Sequence, residues 1–228
     1  MQPMPTAPAS EPTDAELVAR VRAGDTPRFA VLVRRHNQAM FRACRAVLRD
    51  DADAEDAVQA AWINTYRALG SYRADAAFRT WVTRIAINEA LARHRQRRRL
   101  ALVPLEDATM ADPTTVTTDP ADDHARRELG VELGRHIDAL PDGMRTVLVL
   151  RDVIELDTAE TAAALGIAEE AVRVRLHRAR HALARALTDG DAAVARGTPQ
   201  VWRFDGDRCA RVTRAVMAAL GVTAEPEA

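Results

Sequence analysis

Apolar residues recur at steps of three and four along most of this chain, the spacing of one buried helical face. Thr13-Asp-Ala-Glu16 has the form of a capping box and opens a short helix through Val21, which Gly24 ends. Pro27 suits the first turn of the next helix, whose apolar positions are Phe29, Leu32, Val33, His36, Met40, Cys44, Val47 and Leu48. The acids from Asp50 to Asp56 start another helix, where negative charge complements the dipole. Its apolar face is Val58, Ala61, Trp62, Thr65 and Leu69, and Gly70 stops it. Ser71 to Ala77 reads as a loop. A further helix runs from about Phe78 into an arginine cluster, with Phe78, Trp81, Val82, Ile85 and Ala86 on one side. Ile87 and Leu91 add a second apolar edge, which predicts packing on more than one neighbour.

The pattern breaks at Leu100. Leu100 to Asp123 carries Pro104, Pro113 and Pro120, a Thr-rich stretch and no basic residue, the composition of a linker. It is longer than an ordinary loop, which predicts two domains. Periodicity resumes at about Ala125 with Leu129, Leu133, Ile137 and Leu140, up to Pro141. Met144, Val147 and Leu148 begin the next helix, and Asp157-Thr-Ala-Glu160 resembles a capping box for a short one. After Gly166-Ile167, a long helix spans Ala168 to Leu187. Asp189 to Pro199 reads as a second linker. Trp202 and Phe204 then precede a helix bearing Val212, Val216 and Leu220. The expected architecture is all-α: two small helical domains, residues 13–99 and 125–187, joined by an acidic flexible linker at 100–124. Residues 1–12 are expected to be disordered. Residues 188–228 form a short C-terminal helical extension, expected to pack on the second domain.

Charge sharpens this picture. The 228 residues sum to a formal net charge of −1, which alone does not suggest a nucleic-acid binder. Every basic residue is arginine, however, and the arginines cluster at Arg93–Arg99 and Arg173–Arg185, with acids at Asp50–Asp56 and Glu106–Asp123. Separated blocks suit several differently charged partners. Cys44 and Cys209 lie far apart and form no disulfide framework, which fits a reducing cytoplasm. The six histidines show no metal or catalytic pattern, and no cofactor is expected. A Gly-rich phosphate loop and a nucleophile elbow are both missing, which argues against an enzyme.

Glu160 to Arg180 carries the best local signal: a short helix, a glycine-bearing turn and a second helix, the form of a helix-turn-helix. Such a second helix lies in the DNA major groove. Here it bears Arg173, Arg175, Arg178 and Arg180, while Val172, Leu176, Ala179 and Leu183 keep the inward spacing. Arginine pairs bidentately with phosphate or guanine edges.

Glu160-Thr-Ala-Ala-Ala-Leu-Gly-Ile167, with Val172-Arg-Val-Arg-Leu-His-Arg-Ala-Arg180, resembles the promoter −35-reading domain of sigma-70 family factors, and is most similar to their extracytoplasmic-function (ECF) group. Ala168 and Ala171 stand where the family usually has Ser or Thr, and Val174 where Ser is frequent. In the first half, Phe78-Arg-Thr-Trp-Val-Thr-Arg-Ile-Ala-Ile-Asn88 resembles the family's −10-opening helix. Asp53-Ala-Glu-Asp-Ala-Val-Gln59 resembles the helix that docks on the clamp coiled coil of the polymerase β′ subunit. The resemblance covers about residues 25–187. It implies that Asp53, Glu55, Asp56 and Gln59 bind core RNA polymerase through its β′ clamp and β subunits. It further implies that Ser71, Arg73, Arg79, Arg84, Asn88, Arg95 and Arg98 bind −10 promoter DNA, and that Arg173, Arg175, His177 and Arg178 bind the −35 element. An anti-sigma protein is an expected partner, without membrane insertion of this chain. The rival is a dimeric helix-turn-helix regulator acting without polymerase, which would leave the Phe78–Asn88 motif unexplained.

Overall fold

The computed structural model describes residues 11–100, 121–187 and 200–222. Residues 1–10 of the expected disordered N-terminus, most of the acidic linker and the linker before Gln200 lie outside the described residues.

Helix α1 (Asp14–Arg22) starts as its sequence dictates. Thr13 Oγ1 accepts from the Glu16 amide at 3.3 Å, and the Glu16 carboxylate accepts from the Thr13 amide at 2.7 Å. Helix α2 (Phe29–Leu48) ends at Arg49 in left-handed backbone, φ 65°. Asp50 then caps α3 (Asp51–Ala68), its carboxylate accepting from the Asp53 amide at 2.9 Å. A 3₁₀ turn at Leu69–Ser71 leads through the loop to α4 (Phe78–Leu100). The predicted faces of α2 and α3 are buried throughout, with Trp62 and Phe29 edge to face at 5.6 Å. On α4, Phe78, Val82 and Ala86 are buried and Trp81 and Ile85 half-buried. His36 sits in this core, where burial pushes its imidazole below the ordinary value although the Asp14 carboxylate lies 2.8 Å from Nε2.

The second domain comprises α5 (Ala121–Asp138), α6 (Asp142–Leu148), a π turn at Val149–Val153, α7 (Thr158–Leu165) and α8 (Glu169–Ala186). Asp157 and Glu160 form a second complete capping box. Gly166, at φ 64°, ends α7 in the left-handed turn that a side chain with a Cβ rarely adopts, and so sets the angle between α7 and α8. Ala168 gives α8 no side-chain cap, as its missing hydroxyl predicts. Val172, Leu176, Ala179 and Leu183 are all buried. The described residues form helices and turns, with no strand among them.

The two domains pack together. Ala43 and Ala46 of α2 and Ile87 of α4 belong to the core of the second domain, and Leu91 packs against both cores. Ile87 and Leu91 are thus the second edge that the sequence predicts. Across this seam Arg145 of α6 is fully buried. It donates to the Ala46 carbonyl at 2.7 Å, the Leu140 carbonyl at 3.0 Å and Asp142 Oδ1 at 2.7 Å. Arg45 of α2 grips both carboxylate oxygens of Asp138 at 2.9 Å.

Two expectations need correction. Helix α5 begins at Ala121, inside the segment 100–124 read as linker, because Ala121 directly follows Pro120, the last helix-breaking residue there. The C-terminal helix α9 (Gly206–Ala219) packs on α2 and α3 of the first domain, not on the second. The apolar face of α9 was legible, but its destination was not. Phe204, Val212, Val216 and Met217 join the first core, where Phe204 stacks on Phe41 with ring centroids 4.5 Å apart.

Candidate nucleic-acid interface

Helix α4 turns one polar stripe outward. Arg84, Asn88, Arg95 and Arg98 are exposed, and their spacing keeps them near one side of the helix. The loop that precedes α4 carries exposed Ser71 and Arg73. Tyr72 anchors this loop, its ring 5.1 Å from Trp81 and 5.4 Å from Phe78, and its hydroxyl donates to the Ala76 carbonyl at 2.9 Å. Arg22, from the end of α1, holds the loop's other side. Its Nε and Nη2 donate to the Leu69 carbonyl at 3.1 and 2.6 Å, and Nη2 also reaches the Tyr72 carbonyl. Sequence reasoning missed Arg22, which reads as a helix-ending arginine like any other.

Arg79 is half-buried and donates to the Ile154 carbonyl of the second domain. Beside it the Thr80 hydroxyl donates to Glu160 Oε1 at 2.8 Å, so the capping residue of α7 also ties α7 to α4. Arg79 therefore points to the second domain while the rest of its predicted set faces outward.

Helix α8 presents Arg173, Val174, His177 and Arg178 on its open side. Arg173 pairs with Glu169 at 2.8 Å and Glu170 at 3.0 Å; these exposed pairs are weak and would yield to phosphate. Arg180 fastens α8 to the π turn through Asp152 at 2.9 and 2.6 Å. Arg175 departs from the others. It is half-buried, lies over Gly143 and faces an interdomain cavity shared with Val47, Leu91 and His94.

The acidic face of α3 is partly engaged by the chain itself. Asp53 pairs with Arg97, yet burial pushes its carboxyl above the ordinary value. Glu55 receives Arg208 and Arg211 of α9, each at 2.8 Å. Asp56 is exposed and Gln59 half-buried. The site thus comprises two arginine-bearing helical surfaces on separate domains and an acidic, amide-bearing face on the first.

Comparison with known proteins accounts for this combination. Residues 32–100 match the family model for Sigma-70 region 2, and residues 131–183 that for Sigma-70, region 4. The ECF RNA polymerase sigma factor SigM of Mycobacterium tuberculosis is 38% identical over 178 residues, 78% of this chain and 86% of the relative. The ECF RNA polymerase sigma-E factor of Escherichia coli K12 is 32% identical over 177 residues, 75% of this chain and 92% of the relative. Among solved structures, CnrH in complex with the cytosolic domain of CnrY is similar, with a TM-score of 0.51 and 30% identity, over 77% of this chain and 96% of that one. The chain belongs to the sigma-70 family of RNA polymerase sigma factors, in its extracytoplasmic-function group. No helix among the described residues is long and apolar enough to cross a membrane.

Proposed function

We propose that this chain is a non-enzymatic, cytoplasmic promoter-specificity subunit whose sites divide between its domains as follows. Asp53, Glu55, Asp56 and Gln59 on α3 dock on core polymerase. Ser71, Arg73, Arg79, Arg84, Asn88, Arg95 and Arg98 engage and melt the −10 element. Arg173, Arg175, His177 and Arg178 read the −35 element. The observation that carries this reading is the exposed stripe Arg84, Asn88, Arg95 and Arg98, set on the helix that follows the exposed Ser71 and Arg73 and on a different domain from the helix-turn-helix. A melted strand needs a cationic track and a surface that receives unstacked bases; this reading assigns the track to the stripe and the surface to the loop. Arg79 and Arg175 are turned toward the neighbouring domain, so their use requires the domains to part on promoter binding. Neither domain needs high affinity alone, because polymerase links the two contacts. An anti-sigma protein is the expected antagonist; the capture of CnrH with a cytosolic domain of CnrY supports a protein partner of that kind.

The test is transcription by core polymerase plus this chain on a library of promoter fragments. Initiation confined to fragments sharing −10 and −35 elements is expected. Tight binding to a palindrome without polymerase, with no initiation, would favour the dimeric regulator instead.

Two substitutions separate the contacts. Arg178→Ala removes an exposed arginine from the open side of α8, worth about 1–3 kcal/mol if it meets a base edge or phosphate. Initiation that depends on the −35 element is expected to fall roughly tenfold, with core binding unchanged by anisotropy. Arg22→Ala frees the loop carbonyls that Arg22 ties. Hydrogen bonds from a charged donor contribute about 1.5–3 kcal/mol. The strand-opening rate, followed by permanganate reactivity, is expected to drop about tenfold, although Arg22 acts through the loop's backbone carbonyls.

A further inference from the structure

The C-terminal segment is built into both domains. Its first residues run as a strap between α2 and α5. Gln38 of α2 donates to the Trp202 carbonyl at 2.9 Å and accepts from the Phe204 amide at 2.7 Å, and Arg42 donates to the Val201 carbonyl at 2.9 Å. Trp202 lies under the Arg45 guanidinium, 5.0 Å from the ring centroid, with its backbone left-handed at φ 45°, a conformation a tryptophan keeps only when its surroundings hold it. On the opposite side α5 places two glycines one turn apart against the strap. A Cβ on Gly130 would stand 2.4 Å from the Gln200 Cβ and 2.9 Å from its backbone carbon, and one on Gly134 would stand 3.2 Å from Trp202 Nε1. Glycine weakens a helix interior, and here it admits the strap.

Beyond the strap, α9 covers the first domain. Buried Asn37 accepts from Trp62 Nε1 at 2.7 Å and turns its amide nitrogen to Cys209 Sγ at 3.2 Å and Thr213 Oγ1 at 3.4 Å. Arg208 lies over both stacked rings, Phe41 and Phe204, and pairs with Glu55 at 2.8 Å and Asp51 at 3.0 Å. Arg211 takes the other Glu55 oxygen at 2.8 Å. Both carboxylate oxygens of Glu55 are therefore occupied by a basic helix from the same chain.

We propose that residues 200–222 act as an intramolecular competitor of RNA polymerase: α9 occupies the Glu55 face of α3, and the strap holds the two domains together. This rests on the assignment of that face to polymerase docking. Two arginines on one helix give the acidic face of α3 the same charge complement that a basic docking surface of polymerase would offer, so the two exclude each other. The single segment occupies the Glu55 part of the polymerase face and, through Val201 and Trp202 at the seam, opposes the parting of domains that frees Arg79 and Arg175. A passive strut would behave oppositely, because its release would weaken function.

The test uses the full chain with core polymerase and two independent ways of releasing the tail. Arg208→Glu with Arg211→Glu breaks the ion pairs from the tail side. Gly130→Ala pushes the strap away from the opposite side and leaves both the tail and α3 unaltered. Release is read by maleimide labelling of Cys209, since Cys44 is fully buried. When only a minor open population binds, apparent affinity falls by that fraction, so its release is expected to tighten core binding by about tenfold. Both variants are expected to show that gain together with faster Cys209 labelling. Unchanged or weaker core binding with Cys209 exposed overturns the proposal, and so does failure of both variants to expose Cys209. If the parent chain initiates normally and release brings no gain, only the competitor role falls. If no form of the chain initiates with core polymerase, the docking assignment falls and takes this inference with it.

Discussion

With Arg84 and Asn88 both changed to alanine, promoter opening is expected to fall by about two orders of magnitude while core binding stays within about twofold. Both side chains stand exposed on α4, one turn apart. Contacts of this kind contribute about 1–3 kcal/mol each to holding a base or its phosphate. Losing two therefore removes about 3 kcal/mol from the opened state, and each 1.4 kcal/mol or so is a factor of ten. Neither residue is buried: among the described residues of α4 the buried positions are Phe78, Val82, Thr83, Ala86, Ile87 and Ala90. Permanganate footprinting and abortive initiation measure opening, and anisotropy with core polymerase measures docking. A parallel loss in both assays would place these residues in the polymerase interface and not on the −10 element.

Arg145→Ala is expected to destabilise the protein by about 3–5 kcal/mol, because it removes a fully buried side chain whose charged donors each contribute about 1.5–3 kcal/mol. The side chain is wholly inaccessible and makes three hydrogen bonds, two of them to backbone carbonyls. Burial pushes its guanidinium below the ordinary value, while its bond to Asp142 holds that carboxyl low. Alanine leaves the Ala46 and Leu140 carbonyls without this donor and opens a cavity where α6 meets α2. Against a typical stability of about 5–15 kcal/mol, the loss is a large share. Urea unfolding measures it. Because Arg145 bonds Ala46 across the seam, the same substitution is expected to loosen the domain contact, visible as faster amide exchange in α6 before global unfolding. A loss below about 1 kcal/mol would mean that water replaces the missing donor and that the seam is wet.

Much of the molecule can be read from local pattern. Helix faces were legible because burial repeats with the helical period, and the faces predicted for α2, α3 and α8 are the ones buried. Both capping boxes and the Gly166 turn were legible because their partners lie within a few residues. The arginine stripe of α4 and the open side of α8 could be named for the same reason, as a helix assigns its faces locally. Arg22 was not legible, because its role depends on carbonyls nearly fifty residues later in the chain, which no local spacing encodes. Arg79 and Arg175 were named as DNA residues, but nothing in their spacing shows that each also faces the neighbouring domain.

The primary structure alone determined the helices, their ends, the division into two family regions and the charge borne by each face, since all of these arise from residues within a turn or two of one another. Only the tertiary structure decided how those faces meet: that Ala43, Ala46 and Ile87 serve the second core, that buried Arg145 joins the domains, and that α9 crosses back to lay Arg208 and Arg211 on Glu55. An apolar stripe states that it must be covered but not by what, and an arginine states its charge but not its carboxylate. The choice of partner depends on shape complementarity between elements far apart in the chain, and at Gly130 and Gly134 that shape is the absence of a side chain where the strap passes.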